Sequence, residues 1–296
     1  MRYLEGSVEL GNKDRQLLET VAATNRITQL QLWEVAQLKG IEFDRKVFEW
    51  RVRRLAKAGF LKKVQRSFLG SRLLYSITKD GIAALEIGGI HPLSLYVERE
   101  SDEIERQIAH SVQLNRAYIA LLKAQALVRW MPAKDVAAIN RAGYRPYAKT
   151  YDAVATILLE HQTIEVGLEY ERTLKAAERY DELVAKLQNE TRAETVVYLF
   201  SDAEIGAKLE WAFRNIKTEV LVAPHDEFVR NPFDAPVMCR LLRTTVRDVP
   251  TAHRQSEINL CRTPVRRGPA ISGSDPPFSC FHCRSIVLSI SLRGVA

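Results

Sequence analysis

The fold of this chain is decided by residues 151–187, which read YDAVATILLEHQTIEVGLEYERTLKAAERYDELVAKL. Residues 154–159 are apolar and partly β-branched, residues 160–162 form a polar break, and residues 163–170 alternate strictly between polar and apolar side chains. This pattern predicts a β-hairpin. A helix is predicted directly after it, because Thr173 is a suitable N-cap and apolar side chains then recur at helical spacing.

Carboxylates gather on one face of the predicted hairpin. Because successive side chains of a strand point to opposite faces, Glu169 and Glu171 lie together on the face opposite the apolar one. Asp152 opens the preceding strand, so pairing of the two strands brings its carboxylate close to both glutamates. Clustered carboxylates repel each other unless a cation lies between them, and oxygen atoms are the ligands that Mg²⁺ prefers. The sequence therefore predicts a Mg²⁺ site here, with Lys175 directed at it from the following helix.

The same stretch resembles the replication-relaxation family. The resemblance rests on an Asp-Ala pair that opens a strand, a hairpin, and a Glu-x-Glu-Arg-Thr run leading into a helix that carries Lys175 and an Arg-Tyr pair. Members come from plasmids and other mobile elements, and they join an N-terminal winged helix to a domain similar to the PD-(D/E)XK nuclease fold. The resemblance covers residues 14–224 by element order, and its sharpest match lies within residues 151–180.

Two positions depart from the nuclease motif of that family. Tyr151 stands where the motif has proline, and residues 169–171 read Glu-Tyr-Glu where the motif has Glu-x-Lys. The strand therefore lacks the lysine that stabilises charge during phosphodiester cleavage. By resemblance, an active site would use Asp152 and Glu169 as Mg²⁺ ligands, Glu171 as an assisting carboxylate and Lys175 as the replacement cation. Otherwise the site is a metal-free relic that serves only for binding.

Composition places the chain among ordinary soluble proteins. Its 296 residues are 46% hydrophobic and 27% charged, which is enough chain for two domains with sizeable cores. No window approaches the roughly 20 apolar residues of a membrane span, and the N-terminus lacks a signal-peptide pattern. We therefore expect a cytoplasmic protein with no membrane partner.

Charge is distributed unevenly along the chain. The net charge is +7, of which residues 1–90 carry +6, residues 91–239 carry −5 and residues 240–296 carry +6. A basic N-terminal third is typical of a phosphate-binding module. Double-stranded DNA is therefore the predicted partner of this part of the chain.

Residues 12–90 are predicted to form a winged helix-turn-helix domain. The predicted elements are helices at residues 14–24, 28–39 and 44–58 and strands at residues 60–64 and 73–78. Three short helices followed by a two-stranded wing are typical of this motif. The side chains predicted to contact DNA are Lys46, Trp50, Arg53, Arg54 and Lys57 on the third helix and Lys62, Lys63, Arg66 and Arg72 on the wing.

The basic helix face has two other interpretations, a merely solvated surface and a protein-docking surface. The helix and the wing are basic together, and a merely solvated face seldom exposes a tryptophan such as Trp50. Both observations favour DNA, with the third helix in the major groove and the wing on the adjoining backbone. Burial of Trp50 against the second domain remains an alternative.

Residues 91–100 are predicted to be a linker, and residues 101–235 a PD-(D/E)XK-like α/β domain. Helix, strand, hairpin, helix, strand is the predicted element order, with a loop over residues 132–150 before the hairpin. Helices on both faces of the sheet suit this fold, and the class predicted for the whole chain is α+β or α/β. The first helix has an apolar stripe that fits either a dimerising coiled coil, giving a homodimer, or a core helix. Interruption by Asn115 favours the core helix. His110, near that stripe, is predicted to be a structural histidine.

Residues 236–296 are predicted to form an irregular or disordered basic tail, because prolines, serines and arginines are scattered there without periodicity. All four cysteines lie in this segment. The Cys-x-x-Cys pair at Cys280 and Cys283 lacks a well-spaced second half, since Cys239 and Cys261 are poorly placed, so the spacing argues against structural zinc.

Three functions remain open on the sequence. The first is a DNA-binding protein of a plasmid or other mobile element that acts in replication, relaxation or mobilisation. The second is an active Mg²⁺-dependent DNA endonuclease. The third is a non-catalytic winged-helix transcriptional regulator. A further interpretation of the glutamates is purely structural: they form an exposed face paired with basic side chains of the following helix.

Overall fold

The computed structural model describes residues 9–65, 73–90, 104–159, 162–239 and 242–245. The chain divides into two compact units, residues 1–252 and residues 253–296, and all described residues lie in the first. Outside the described ranges fall the predicted linker at residues 91–100, the wing residues Arg66 and Arg72, and the tail from residue 246 onward with Cys261, Cys280 and Cys283.

Helices and strands alternate along the described residues. The helices are α1 (Asn12–Thr24), α2 (Gln29–Leu38), α3 (Arg45–Lys57), α4 (Lys79–Ile87), α5 (Ile104–Lys123), α6 (Ala133–Ala142), α7 (Ala177–Leu187), α8 (Ala203–Phe213) and α9 (His225–Arg230). The strands are β1 (Arg26–Thr28), β2 (Leu61–Gln65), β3 (Leu73–Ile77), β4 (Leu127–Pro132), β5 (Ala153–Leu159), β6 (Gln162–Glu171), β7 (Thr195–Phe200), β8 (Val220–Pro224), β9 (Pro236–Cys239) and β10 (Leu242–Thr245). The α+β class predicted from the sequence is confirmed.

The N-terminal helices begin where the sequence predicts, because their caps are local. Thr28 caps α2: its Oγ1 accepts a hydrogen bond from Gln31 N at 3.2 Å, and Gln31 Oε1 accepts one from Thr28 N at 3.3 Å. Asp44 caps α3 through its Oδ1, which accepts hydrogen bonds from the backbone amides of Lys46 and Val47. Such caps depend only on residues within one turn, so they are visible in the sequence.

A three-stranded antiparallel sheet follows, in the order β1-β3-β2. Leu61 of β2 lies opposite Ile77 of β3, and Ile27 of β1 lies opposite Tyr75. The sequence does not reveal β1, because three residues are too few to show alternation. The buried core between this sheet and its helices includes Leu17, Leu18, Val21, Leu32, Val35, Phe48, Val52 and Leu55.

The second sheet has seven strands in the order β10-β9-β8-β7-β6-β5-β4. β5 and β6 form the predicted hairpin, with Ala153 opposite Leu168. β6, β7 and β8 run parallel, and the other neighbouring strands are antiparallel. One face packs against α5 through residues such as Leu168 and Leu121, and the other packs against α7 and α8 through residues such as Tyr198 and Leu209. Both faces are therefore covered, as the sequence predicts.

α5 contributes to both cores. Leu114, Ala117 and Leu121 pack against the seven-stranded sheet, whereas Tyr118 and Ile119 pack against the N-terminal helices. The apolar stripe of this helix is thus buried within the chain, as predicted for a core helix.

Two buried side-chain bonds join α5 to the N-terminal part. Gln31 Nε2 donates to the backbone oxygen of Val112 at 2.7 Å, and Asn115 Nδ2 donates to that of Arg26 at 2.6 Å. Asn115, which interrupts the apolar stripe, therefore has a structural partner.

Two predicted irregular regions contain regular structure. The sequence predicts a loop over residues 132–150, but α6 occupies much of this range. Pro132 and Gly143, which flank α6, are typical of loops. However, proline before a helix and a left-handed glycine after it are also normal helix ends. The predicted tail at residues 236–296 begins too early, because β9 and β10 extend the sheet to residue 245. Strands of four residues beside a proline carry little periodicity of their own.

Candidate functional site

The carboxylates predicted to cluster do meet in the structure. Asp152 directly precedes β5, and Glu169 and Glu171 lie near the end of β6. The Asp152 backbone amide donates to Glu169 Oε1 at 3.2 Å, and the Tyr170 amide donates to Asp152 Oδ2 at 2.9 Å. Glu169 and Glu171 are buried, so the interpretation of these glutamates as an exposed face is wrong.

The cluster opens into a cavity of about 530 Å³ between the end of α1 and the edge of the seven-stranded sheet. All four residues predicted to be catalytic line it: Asp152, Glu169, Glu171 and Lys175. Other lining residues include Asn25, Arg26, His110, Trp130, Lys134, Tyr170 and Arg172. The cavity wall thus combines carboxylates, basic side chains and aromatic rings.

Each of the three carboxylates has a nitrogen partner. Lys149 Nζ lies 2.8 Å from Glu169 Oε2, and Lys175 Nζ contacts Glu171 Oε1. His110 Nε2 lies 3.1 Å from Asp152 Oδ2 and 3.1 Å from the backbone oxygen of Tyr170, which fits an imidazole N–H that donates to both. Neighbouring protein groups therefore satisfy much of the hydrogen-bonding capacity of the cluster.

Burial and charge change the pKa values of the cluster in different directions. Burial, together with the charge of Asp152, raises the pKa of Glu169 to about 7, even though Lys149 acts in the opposite direction. Burial also opposes ionisation of Asp152, but its hydrogen bonds with His110 and the Tyr170 amide outweigh this and lower its pKa. Burial would lower the pKa of His110, but the bond to Asp152 raises it above the ordinary value. The contact between Asp152 and His110 therefore favours the ionised carboxylate and the protonated imidazole, whereas burial favours the neutral form of Glu169.

The Mg²⁺ site predicted at Asp152 and Glu169 has the right donor chemistry but the wrong arrangement. Both oxygens of Glu169 already accept hydrogen bonds, one from Lys149 and one from the Asp152 amide. Within the described ranges, no three His, Cys, Asp or Glu side chains are grouped so that they could hold one metal ion. In this arrangement the residues do not fit the cation that the resemblance implies.

Lys149 and His110 are the two site residues that the sequence does not identify. Lys149 lies in the predicted loop before β5, and its partner Glu169 is on the next strand, so only the folded hairpin brings them together. His110 has hydrogen-bond partners, as the sequence predicts, but one of them is Asp152 of the cluster. A basic residue three positions before Asp152 is the one local signal, and it is weak.

The predicted DNA-contacting face is largely exposed. Lys46, Trp50, Arg53 and Lys57 project from α3 on the side away from its packing residues, and Lys62 and Lys63 are exposed on β2. Trp50 is 55% exposed, which contradicts the alternative that it is buried against the rest of the chain. Arg54 differs from its neighbours: it contacts Asp14 on α1, and its guanidinium lies 5.1 Å from the centre of the Trp50 ring.

Among the described helices, none has both the length and the apolar composition needed to cross a membrane. Comparison of the chain with protein-family models, with curated proteins and with solved structures found no match.

Proposed function

We propose that this chain binds double-stranded DNA through α3 and the β2–β3 hairpin, and that it serves a plasmid or other mobile element in DNA replication, relaxation or mobilisation. The observation that carries the proposal is the exposed face of α3, where Lys46, Trp50, Arg53 and Lys57 lie side by side. Flanking lysines on β2 extend this positive surface. Basic side chains on a helix and on an adjoining hairpin suit contacts with a groove and with the phosphate backbone.

The element order supports a winged helix coupled to a PD-(D/E)XK-like domain. β1 lies between α1 and α2, and α2 and α3 precede β2 and β3, with the three strands in one antiparallel sheet; this order supports a winged helix. In the second sheet, an antiparallel hairpin is followed by two parallel strands, with helices on both faces. This order supports a nuclease-like domain with the acidic cluster at its hairpin, although α6 between β4 and β5 is an additional helix that the sequence does not predict.

The direct test is duplex binding by the double variant Arg53→Ala/Lys57→Ala. Both side chains are exposed on α3, so the variant should fold normally while losing two phosphate contacts. We expect the affinity for a duplex of about 25 base pairs to fall about tenfold at moderate salt, and the slope of log affinity against log salt to shrink by about 2. Fluorescence anisotropy at several salt concentrations measures both quantities.

A matched control for that test is Lys186→Ala/Lys208→Ala. These exposed lysines lie on α7 and α8, so the control removes the same net charge from a different surface. It should bind like the wild type. If the two double variants lose equal affinity, the effect comes from net charge and the assignment of α3 is wrong.

A second candidate function is Mg²⁺-dependent DNA cleavage. The observation in its favour is that Asp152, Glu169, Glu171 and Lys175 line one cavity. If this candidate is right, wild-type protein with Mg²⁺ or Mn²⁺ nicks supercoiled plasmid, and Asp152→Ala and Glu169→Ala each reduce the rate about a hundredfold or more. Cutting that persists in both variants would come from another site or a contaminant. The remaining alternative is a transcriptional regulator. Such a protein would bind one specific duplex sequence and protect it from an added nuclease, but it would not cut DNA itself.

A further inference from the structure

A lysine lies against one carboxylate of the acidic cluster. Lys149 Nζ lies 2.8 Å from Glu169 Oε2, and both side chains are largely buried, at 13% and 7% exposure. The ammonium also lies 5.8 Å from the ring centre of Tyr151 and 5.6 Å from that of Tyr198. One carboxylate and two aromatic faces therefore hold this cation in a partly dehydrated position.

The surroundings of Lys149 suit an ammonium group better than a divalent metal ion. Mg²⁺ requires near-octahedral oxygen ligands at about 2.0–2.1 Å and usually keeps several waters. The two rings beside Lys149 attract a cation through their faces. The Tyr151 hydroxyl is committed elsewhere, since it donates to Glu190 Oε2 at 2.6 Å.

Each carboxylate of the cluster already faces a nitrogen group of the chain. Lys149 faces Glu169, Lys175 faces Glu171, and His110 faces Asp152. A divalent ion entering this arrangement would have to displace at least one of these partners. The displaced nitrogen cation would then lose a carboxylate in a poorly hydrated place, which is costly.

We propose that Lys149 is the resident counter-cation of the acidic cluster and occupies the position that a divalent metal ion would take. It acts through Glu169, so it is a positioning residue that keeps the carboxylates together in a metal-free site. In this state divalent cations bind the cluster weakly. This role of Lys149 involves only the acidic cluster and does not require DNA binding by α3.

The test is a titration of the full chain with Mn²⁺ and with Mg²⁺, monitored by calorimetry at pH 8. For the wild type, we expect no saturable binding below about 5 mM. In Lys149→Met, a hydrophobic side chain of similar length leaves Glu169 without its counter-cation, so a divalent ion should bind one site at least about tenfold more tightly. Lys149→Arg retains the charge and should behave like the wild type.

Two controls test whether tighter cation binding by Lys149→Met comes from the acidic cluster. Lys186→Met removes an exposed lysine on α7 and should leave cation binding unchanged. Adding Asp152→Asn to Lys149→Met should abolish the gained site, which a merely structural role of Lys149 would not predict. Circular dichroism establishes that each variant is folded.

Two results would overturn the inference. One is saturable, submillimolar binding of Mn²⁺ to the wild type that disappears in Asp152→Asn; this measurement needs no Lys149 variant, and it would favour the nuclease candidate. The other is a folded Lys149→Met protein that binds cations no better than the wild type. Neither result bears on the Arg53→Ala/Lys57→Ala assay, so failure of the DNA-binding proposal would be recognised separately.

Discussion

Replacing Asp14 with alanine is expected to lower the free energy of unfolding by about 3 kcal/mol. Asp14 lies on α1 with 2% of its side chain exposed, and it pairs with Arg51 at 3.1 Å and with Arg54, both on α3. Its Oδ2 also accepts a hydrogen bond from the backbone amide of Gly11. Alanine would leave the guanidinium groups of Arg51 and Arg54 partly buried without the carboxylate that balances their charge. Of these, Arg51 keeps a longer contact of 3.6 Å with Glu42.

The loss should depend on pH. Burial opposes ionisation of Asp14, but the hydrogen bonds from Arg54 and Arg51 outweigh it and lower its pKa from the ordinary value of 3.8. A carboxylate with a lowered pKa stabilises the fold above the pKa of the unfolded chain, and this contribution is lost as pH falls through the folded pKa. The difference between wild type and Asp14→Ala should therefore be full at pH 7 and shrink below about pH 4.

Urea denaturation followed by circular dichroism at pH 7 and pH 3 measures both effects. Glu19→Ala is the matched control, because Glu19 lies on the same helix but is exposed, and it should change stability by no more than about 0.5 kcal/mol. An Asp14→Ala protein as stable as this control at pH 7 would show that the α1–α3 ion pairs contribute nothing.

Replacing Gly81 with alanine is expected to destabilise the chain by about 2–3 kcal/mol. A Cβ atom at this position would lie 2.3 Å from the backbone oxygen of Phe60 and 2.8 Å from Ile77 Cγ1. The Phe60 oxygen cannot easily move, because it accepts hydrogen bonds from the Thr78 amide and hydroxyl. The clash should outweigh the gain of about 1 kcal/mol in helix propensity that alanine brings.

Thermal denaturation compared with Gly11→Ala provides the measurement. A Cβ at Gly11 would meet its nearest neighbour, Asp14 Oδ2, at an ordinary 3.6 Å. That control should cost less than about 1 kcal/mol, mainly because alanine is a poor N-cap. If the melting temperature of Gly81→Ala equals or exceeds that of Gly11→Ala, α4 does not pack as closely against Phe60 as the structure shows.

The features predicted correctly have local causes, but not every local signal holds: α7 begins at Ala177 and not after Thr173, so Lys175 lies before the helix and not on it. α2 and α3 begin after Thr28 and Asp44, whose side chains bond to amides two or three residues away. The β5–β6 hairpin follows from alternation that one strand shows by itself. The proximity of Asp152 to Glu169 then follows from hairpin pairing, and so could be expected from the sequence.

The features that the sequence does not reveal depend on distant partners. β1 exists because β3 pairs with it, and β9 and β10 exist because β8 offers a free edge. Lys149 contacts Glu169 only in the folded hairpin. Arg54, which is predicted to contact DNA, instead pairs with Asp14. Exposure of Trp50 likewise could not be decided until the position of α5 was known.

The bonds that join α5 to the N-terminal part have a geometric consequence for anything bound to both. Separating the two parts would strip the Gln31 and Asn115 amides of buried partners, at about 1–3 kcal/mol each. If α3 binds a duplex as we propose, that duplex should therefore meet the rest of the protein in one fixed position and orientation. Suppose that the rest of the protein contacts a second site on the same duplex. Moving that DNA site by about five base pairs, half a helical turn, would put it on the far side of the duplex, where the protein cannot contact it.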